Sequence, residues 1–193
     1  MIYLLPAALK LGPDWLVVGL MFGLQVLGIV LHLRGHHPAG QGVAYGALGT
    51  GTVALLAALG FLVGGLSAKR ESPQELLVAA AALWLANVLV FASWYWRLDA
   101  GGPHCRDLNE SHTDGAFLFP QMTLAKDIRE ELGESDWRPG FVDYLFLAFN
   151  TSTAFSPTDA PVLSRWAKVL MMVQAAVSLA TLAILAARAI NIL

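Results

Sequence analysis

"NTSTAFSPTD", Asn150 to Asp159, places five hydroxyl side chains and Pro157 in the middle of an otherwise apolar pattern. Immediately before it runs "FVDYLFLAF", Phe141 to Phe149, opened by Pro139 at what fits a first helical position. Immediately after it the chain is apolar again from Val162 to Ala187, apart from Arg165 and Lys168 near the start, with Arg188 at the end. The run before the decapeptide covers about 13 residues, or about 20 Å of helix, against a hydrocarbon layer of roughly 30 Å. The run after it is long enough to cross. The pattern predicts a half-crossing helix, an irregular polar segment and a return helix. Non-helical backbone survives at membrane depth only where protein or a water-filled cavity satisfies its N–H and C=O groups.

Composition agrees with a membrane setting. Of 193 residues, 56% are hydrophobic and 13% are charged, whereas soluble domains carry about 25% charge. Mean hydropathy is +0.60. The formal net charge of -2 offers no basic surplus for nucleic acid, and no run of cations is long enough to track phosphates. The single cysteine, Cys105, cannot close an internal disulfide. The opening "MIYLLPAALKLGPD" lacks a basic region and a small-residue cleavage site, so the first spanning helix is expected to serve as the insertion signal.

Three further segments have the length and polarity of spanning helices. The first covers about 15–33 and has Trp15 as an interfacial anchor; the second covers 43–66 and carries Gly42/Gly46 and Gly60/Gly64 at spacings that allow close helix approach. The third covers 75–96. Ser72, Pro73 and Glu75 form a capping pattern at its start, and Trp94-Tyr95-Trp96 marks the far interface. From Arg97 to Arg138 nine carboxylates face five Lys/Arg, which reads as a polar loop in water, 97–138. Within it "TLAKDIREELGE" predicts a short exposed helix ending near Gly133. The expected fold is an all-α integral membrane domain over 1–193. It has four transmembrane helices, the fourth at 162–188, and a re-entrant pore-type half-helix with its loop at 139–161, between the third and the fourth.

The stretch from Phe141 to Ile190 resembles the pore helix, filter and inner helix of the potassium-channel superfamily, in which a short helix ends in Thr-x-Thr-Thr-Val-Gly-Tyr-Gly-Asp. Thr151 and Thr153 fall on the first two threonines and Asp159 on the closing aspartate. Ala154, Phe155, Ser156, Pro157 and Thr158 stand on the residues between. The likeness covers about 50 residues with three identities. The layout as a whole is similar to uncharacterised bacterial membrane proteins of the DUF1345 type. The resemblance implies a homo-oligomer, a tetramer, with Thr151, Ser152, Thr153, Phe155, Ser156, Thr158 and Asp159 ringing a path for monovalent cations. Hydroxyl and carbonyl oxygens would replace hydration and an Asp159 ring would concentrate cations. Ser156 and Thr158 stand where glycines make the alternating filter backbone accessible, and Pro157 fixes φ and removes an amide, so the filter is not a standard potassium filter. The alternative is a non-conducting membrane scaffold or partner-binding protein. In that case the hydroxyls bond local backbone and Asp159 caps the last helix.

Competing constellations are weaker. His32, Arg34, His36 and His37 lack a local carboxylate or cysteine to complete a metal site, and His104, Cys105 and His112 match no zinc module, so neither a metal nor a cofactor is expected. Asn87 and Gln25 are expected to bond neighbouring helices, and Arg165 and Lys168 to snorkel outward. Asn109-Glu110-Ser111 fits a glycosylation sequon, a short motif that arises by chance. No nucleophile turn, no paired carboxylates in a spanning helix and no His-Glu-x-x-His point to an enzyme, and no internal repeat points to a transporter. With the N-terminus in the cytoplasm of a bacterial inner membrane, Lys10, Lys69, Arg70 and Arg188 lie inside and the other eight basic residues outside. That tally opposes the positive-inside rule. The orientation follows instead from the channel resemblance, which puts the pore loop outside.

Overall fold

Long runs of Leu, Ala and Val without interior proline form the three principal helices of the computed structural model, which describes residues 37–68, 73–108, 115–153 and 160–190. Helix α1 is His37–Ala68, α2 is Pro73–Leu98 and, after five shorter elements, α7 is Arg165–Ile190. The shorter elements are a 3-10 turn at Asp99–Gly101 and the helices α3 (Pro103–Leu108), α4 (Pro120–Thr123), α5 (Lys126–Glu131) and α6 (Phe141–Thr153). Among the described residues there is no strand, only an isolated antiparallel bridge between Phe117 and Val162. The expected first spanning helix at 15–33, His32, Arg34, His36, His112, the Asn109 sequon and residues 154–159 lie outside the described residues.

Among the described residues three segments are long and apolar enough to cross a membrane: Gly40–Gly64, Gln74–Gly101 and Arg165–Ala187, with mean hydropathy 1.9, 2.2 and 2.2. The distribution of side chains about them is the reverse of that in a water-soluble bundle. Val53, Leu85, Val169 and Met172 are exposed, while Asn87, Gln174, Ser178 and Thr181 are fully buried. Outward Leu, Val and Met with inward amides and hydroxyls is the arrangement that a hydrocarbon solvent selects.

The chain divides into two compact units, one holding Met1–Val90 and Leu179–Leu193, the other Phe91–Ser178. In the first, Leu55, Ala58 and Leu62 give α1 a buried stripe at helical spacing, and Leu76, Ala80 and Leu83 do the same for α2. Among the described residues a Cβ at Gly42, Gly46, Gly60 or Gly64 would meet nothing within 4 Å, so the close approach expected at these glycines is not made there.

In the second unit, α2 ends at Leu98, two residues beyond the expected interface residue Trp96, and the chain reverses through three left-handed residues, Ala100 (φ 47°), Gly101 (φ 77°) and Gly102 (φ 90°). Gly102 is obligatory: a Cβ there would lie 2.8 Å from the carbonyl oxygen of Arg97. The segment expected as a solvated loop is in part core. Ala116, Phe117 and Phe119 are buried, and the Phe117 ring meets Tyr95, Tyr144 and Trp166 edge-on with centroids 5.3, 6.1 and 6.2 Å apart. Each such pair contributes about 0.5–1.5 kcal/mol beyond its burial, so "AFLF" is drawn in despite its acidic surroundings. The expected exposed helix before Gly133 is found as α5, closed by Gly133 at φ 71°.

Two helix boundaries differ from expectation for local reasons. Helix α6 starts at Phe141 rather than Pro139 because Asp143 reaches back, its Oδ2 accepting the Gly140 N–H at 2.7 Å. Helix α7 starts at Arg165 rather than Val162. Ser164 Oγ accepts the Ala167 N–H at 3.3 Å as its N-cap, and Val162 is held by the bridge to Phe117. Asp159, the cap in the scaffold alternative, lies outside the described residues.

Candidate functional site

Helix α6 has 13 residues, Phe141–Thr153, and lies in the chain between the spanning segments of α2 and α7. Its buried face is Tyr144, Leu147, Ala148, Thr151 and Ser152. Its opposite side exposes Val142, Phe146 and Phe149. The helix was expected to end at Phe149, yet it continues through the first three residues of the candidate site. Thr151 Oγ1 donates to Leu147 O at 2.8 Å and Thr153 Oγ1 to Phe149 O at 2.9 Å, so both hydroxyls find acceptors within the helix itself. Back-bonding of this kind leaves the hydroxyl satisfied without help from outside.

Of the candidate site residues, the structure places three. Thr151 and Ser152 are buried, at 5% and 0% exposure, and Thr153 is exposed. Phe155, Ser156, Thr158 and Asp159 lie outside the described residues.

The C-terminal end of α6 is held by a neutral clamp. Gln174, fully buried on α7, donates through Nε2 to Ala148 O at 2.7 Å and to Ser152 Oγ at 2.8 Å. Its Oε1 accepts the hydroxyl of Tyr95 from α2. One turn later Ser178 Oγ donates to Ser152 O at 2.7 Å. Ser152 O is one of the four terminal carbonyls that an α-helix leaves without an internal partner.

The N-terminal end of α6 is held by a charged clamp. Asp99, buried at the end of α2, accepts the Tyr144 hydroxyl on Oδ2 at 2.6 Å and the Ala116 N–H on Oδ1. Arg106 of α3 donates from Nη1 to the carbonyls of Trp96 at 2.9 Å and Asp99 at 2.7 Å, and its guanidinium lies 5.2 Å from the centre of the Tyr144 ring. Arg138 in turn donates to Arg106 O at 3.3 Å. Burial, and after it the neighbouring Asp99 carboxylate, raise the Tyr144 phenol above its ordinary range, with Arg106 acting the other way. Tyr144, which lies outside the three spanning segments, is thereby kept a hydrogen-bond donor to Asp99.

Sequence reasoning missed both clamps. Gln174 is the signal that was available: an amide in an apolar helix, followed by Ser178 and Thr181 at four- and three-residue spacing on the same buried face. Tyr95 was grouped with Trp94 and Trp96 as an interfacial anchor, but it is fully buried and bonded to Gln174. Asp99 looked like one acid among nine. Among the described residues no three His, Cys, Asp or Glu side chains are grouped closely enough to hold a metal ion, and His104 and Cys105 stand without a third ligand. A hollow of about 120 Å³ beside the start of α6 is lined by Phe119, Pro120, Gln121, Asp143, Phe146, Leu147 and Ala160. Its one carboxylate is the helix cap just described.

Comparison with family models, with curated proteins and with solved structures finds no match to this chain.

Proposed function

We propose that this chain is an integral membrane protein in which α6 is a re-entrant half-helix, and that copies assemble around an axis to pass monovalent cations along the segment 151–159. One observation carries the reading. A helix too short to cross a bilayer is tied by buried polar contacts at both ends to the helices that are long enough to cross. A helix held at both ends presents its C-terminal partial negative charge at a fixed place, which suits a cation and not an anion. Thr153, at that terminus, is exposed, and the following residues supply hydroxyls and the Asp159 carboxylate. The reading includes a fourth spanning helix at 15–33, a tetramer taken from the channel resemblance, and a bacterial inner membrane with the N-terminus in the cytoplasm. Ser156, Pro157 and Thr158 in place of a glycine-bearing filter make the path one of low selectivity for potassium.

A second reading, a non-conducting scaffold or partner-binding membrane protein, draws on a specific observation too. The hydroxyls of Thr151 and Thr153 are turned onto carbonyls of their own helix, and the hydroxyl and carbonyl oxygens of Ser152 each accept a bond from α7. Cation flux into liposomes separates the two. With wild type, Asp159→Asn and Thr153→Val at matched incorporation, the pore reading expects flux above empty liposomes that falls in both variants. Wild-type flux equal to that of empty liposomes across voltage and pH sinks it and leaves the scaffold.

A further inference from the structure

The amide of Gln174 is spent completely. Both of its N–H groups are donated to α6 and its oxygen accepts from α2, all at a site with no exposure. An apolar side chain of the same length would fill the space, and an amide in such surroundings is costly unless its partners offset the desolvation. What those partners have in common is their position. Ala148 and Ser152 lie on the last two turns of α6, and Ser152 comes two residues before the segment that begins at 154. Ser178 adds a bond to the carbonyl of the same Ser152, so α7 holds both oxygens of that residue.

We propose that Gln174 is a positioning residue that joins the end of α6 to the middle of α7 as one mechanical unit, so that the placement of the last turn of α6 is governed from α7. Sliding or rotating α7 past α6 breaks fully buried hydrogen bonds, so the end of α6 moves with α7. An input that tilts α7 is passed to the end of α6 through this amide, and in the pore reading the flux responds to it. The regulatory consequence rests on the pore reading; the mechanical coupling does not.

The test uses the full chain in liposomes, in a Cys105→Ser background that removes the single native thiol. Thr153→Cys then reports the end of α6 through its reaction with a water-soluble, membrane-impermeant thiol reagent. Gln174→Met should accelerate labelling at 153 by about fivefold or more, as local opening of a helix end does. Ser152→Ala should accelerate it less, and the double variant should do no more than Gln174→Met alone, because residues acting through one contact are not additive. Cation permeability ratios, measured in the same series without Thr153→Cys, should shift with Gln174→Met. No wild-type flux would end the pore reading while the labelling series still decides the coupling. Equal labelling in all variants, or additive effects of Gln174→Met and Ser152→Ala, overturns the proposal and leaves Gln174 a packing residue. Should Gln174→Met fail to fold, Tyr95→Phe and Ser178→Ala each remove one bond of the clamp. Both are expected to raise labelling by a smaller factor, and no change in either is equally decisive against the coupling.

Discussion

The two ends of α6 are fastened with different chemistry. At its N-terminal end the fastener is a carboxylate, Asp99, with Arg106 stacked over the phenol that the carboxylate holds. At its C-terminal end it is an amide and two hydroxyls, with no formal charge. The difference follows the position of each clamp along its spanning segment. Asp99 lies two residues from the end of Gln74–Gly101, whereas Gln174 lies in the interior of Arg165–Ala187. A charge in mid-layer costs about 2.5–3.5 kcal/mol or more, while an amide with every group bonded costs far less. The same helix is thus held by the strongest contact that each depth tolerates.

The comparison is broken most easily at the charged end. Asp99→Ala leaves the Tyr144 hydroxyl and the Ala116 N–H buried without their acceptor, while Arg106 keeps the backbone carbonyls of Trp96 and Asp99. It should destabilise the protein by about 2–6 kcal/mol, the effect of leaving two buried donors unsatisfied. Gln174→Met removes only neutral bonds and should cost about 1–3 kcal/mol. Denaturation of both variants in one detergent gives the ranking. An equal or reversed order would mean that depth does not set the chemistry of the clamps.

The spans and the short helix were legible because hydropathy and length are local properties, and Gly40–Gly64, Gln74–Gly101 and Arg165–Ala187 each carry theirs in one uninterrupted run. Boundaries were less legible. The starts of α6 and α7 depend on which side chain supplies a cap, and Asp143 and Ser164 supply them at Gly140 and Ala167. The candidate site was legible as a place, the polar break after Phe149, but not as a set of contacts. Asp99 meets Tyr144 across 45 residues and Tyr95 meets Gln174 across 79. No spacing rule relates residues that far apart. Phe117 and Phe119 were hidden differently, because the acids around them set the average and the two rings set the packing.

Smaller effects sharpen the comparison. Ala100 sits at φ 47° in the turn that brings Arg106 back onto Asp99, and an L-residue there costs roughly 1–2 kcal/mol relative to the right-handed region. Ala100→Gly should therefore stabilise the charged end by about 1 kcal/mol, part of the relief being lost to the freer unfolded chain. A destabilisation instead would mean that the methyl of Ala100 contributes packing that outweighs the strain.

Thr153→Val is expected to have the smallest effect on stability and the most informative effect on function. Thr153 is exposed, and its hydroxyl bonds carbonyls of its own helix, at 2.9 Å to Phe149 and 3.4 Å to Asn150. Valine keeps the shape and loses only that exposed bond, so stability should stay within about 0.5 kcal/mol of wild type. Neither clamp touches Thr153, so both should hold α6 as before. A fall in cation flux at unchanged stability then isolates the oxygen that Thr153 offers at the free end of the helix. Unchanged flux in a conducting protein would move the path off Thr153 and onto the residues that follow it.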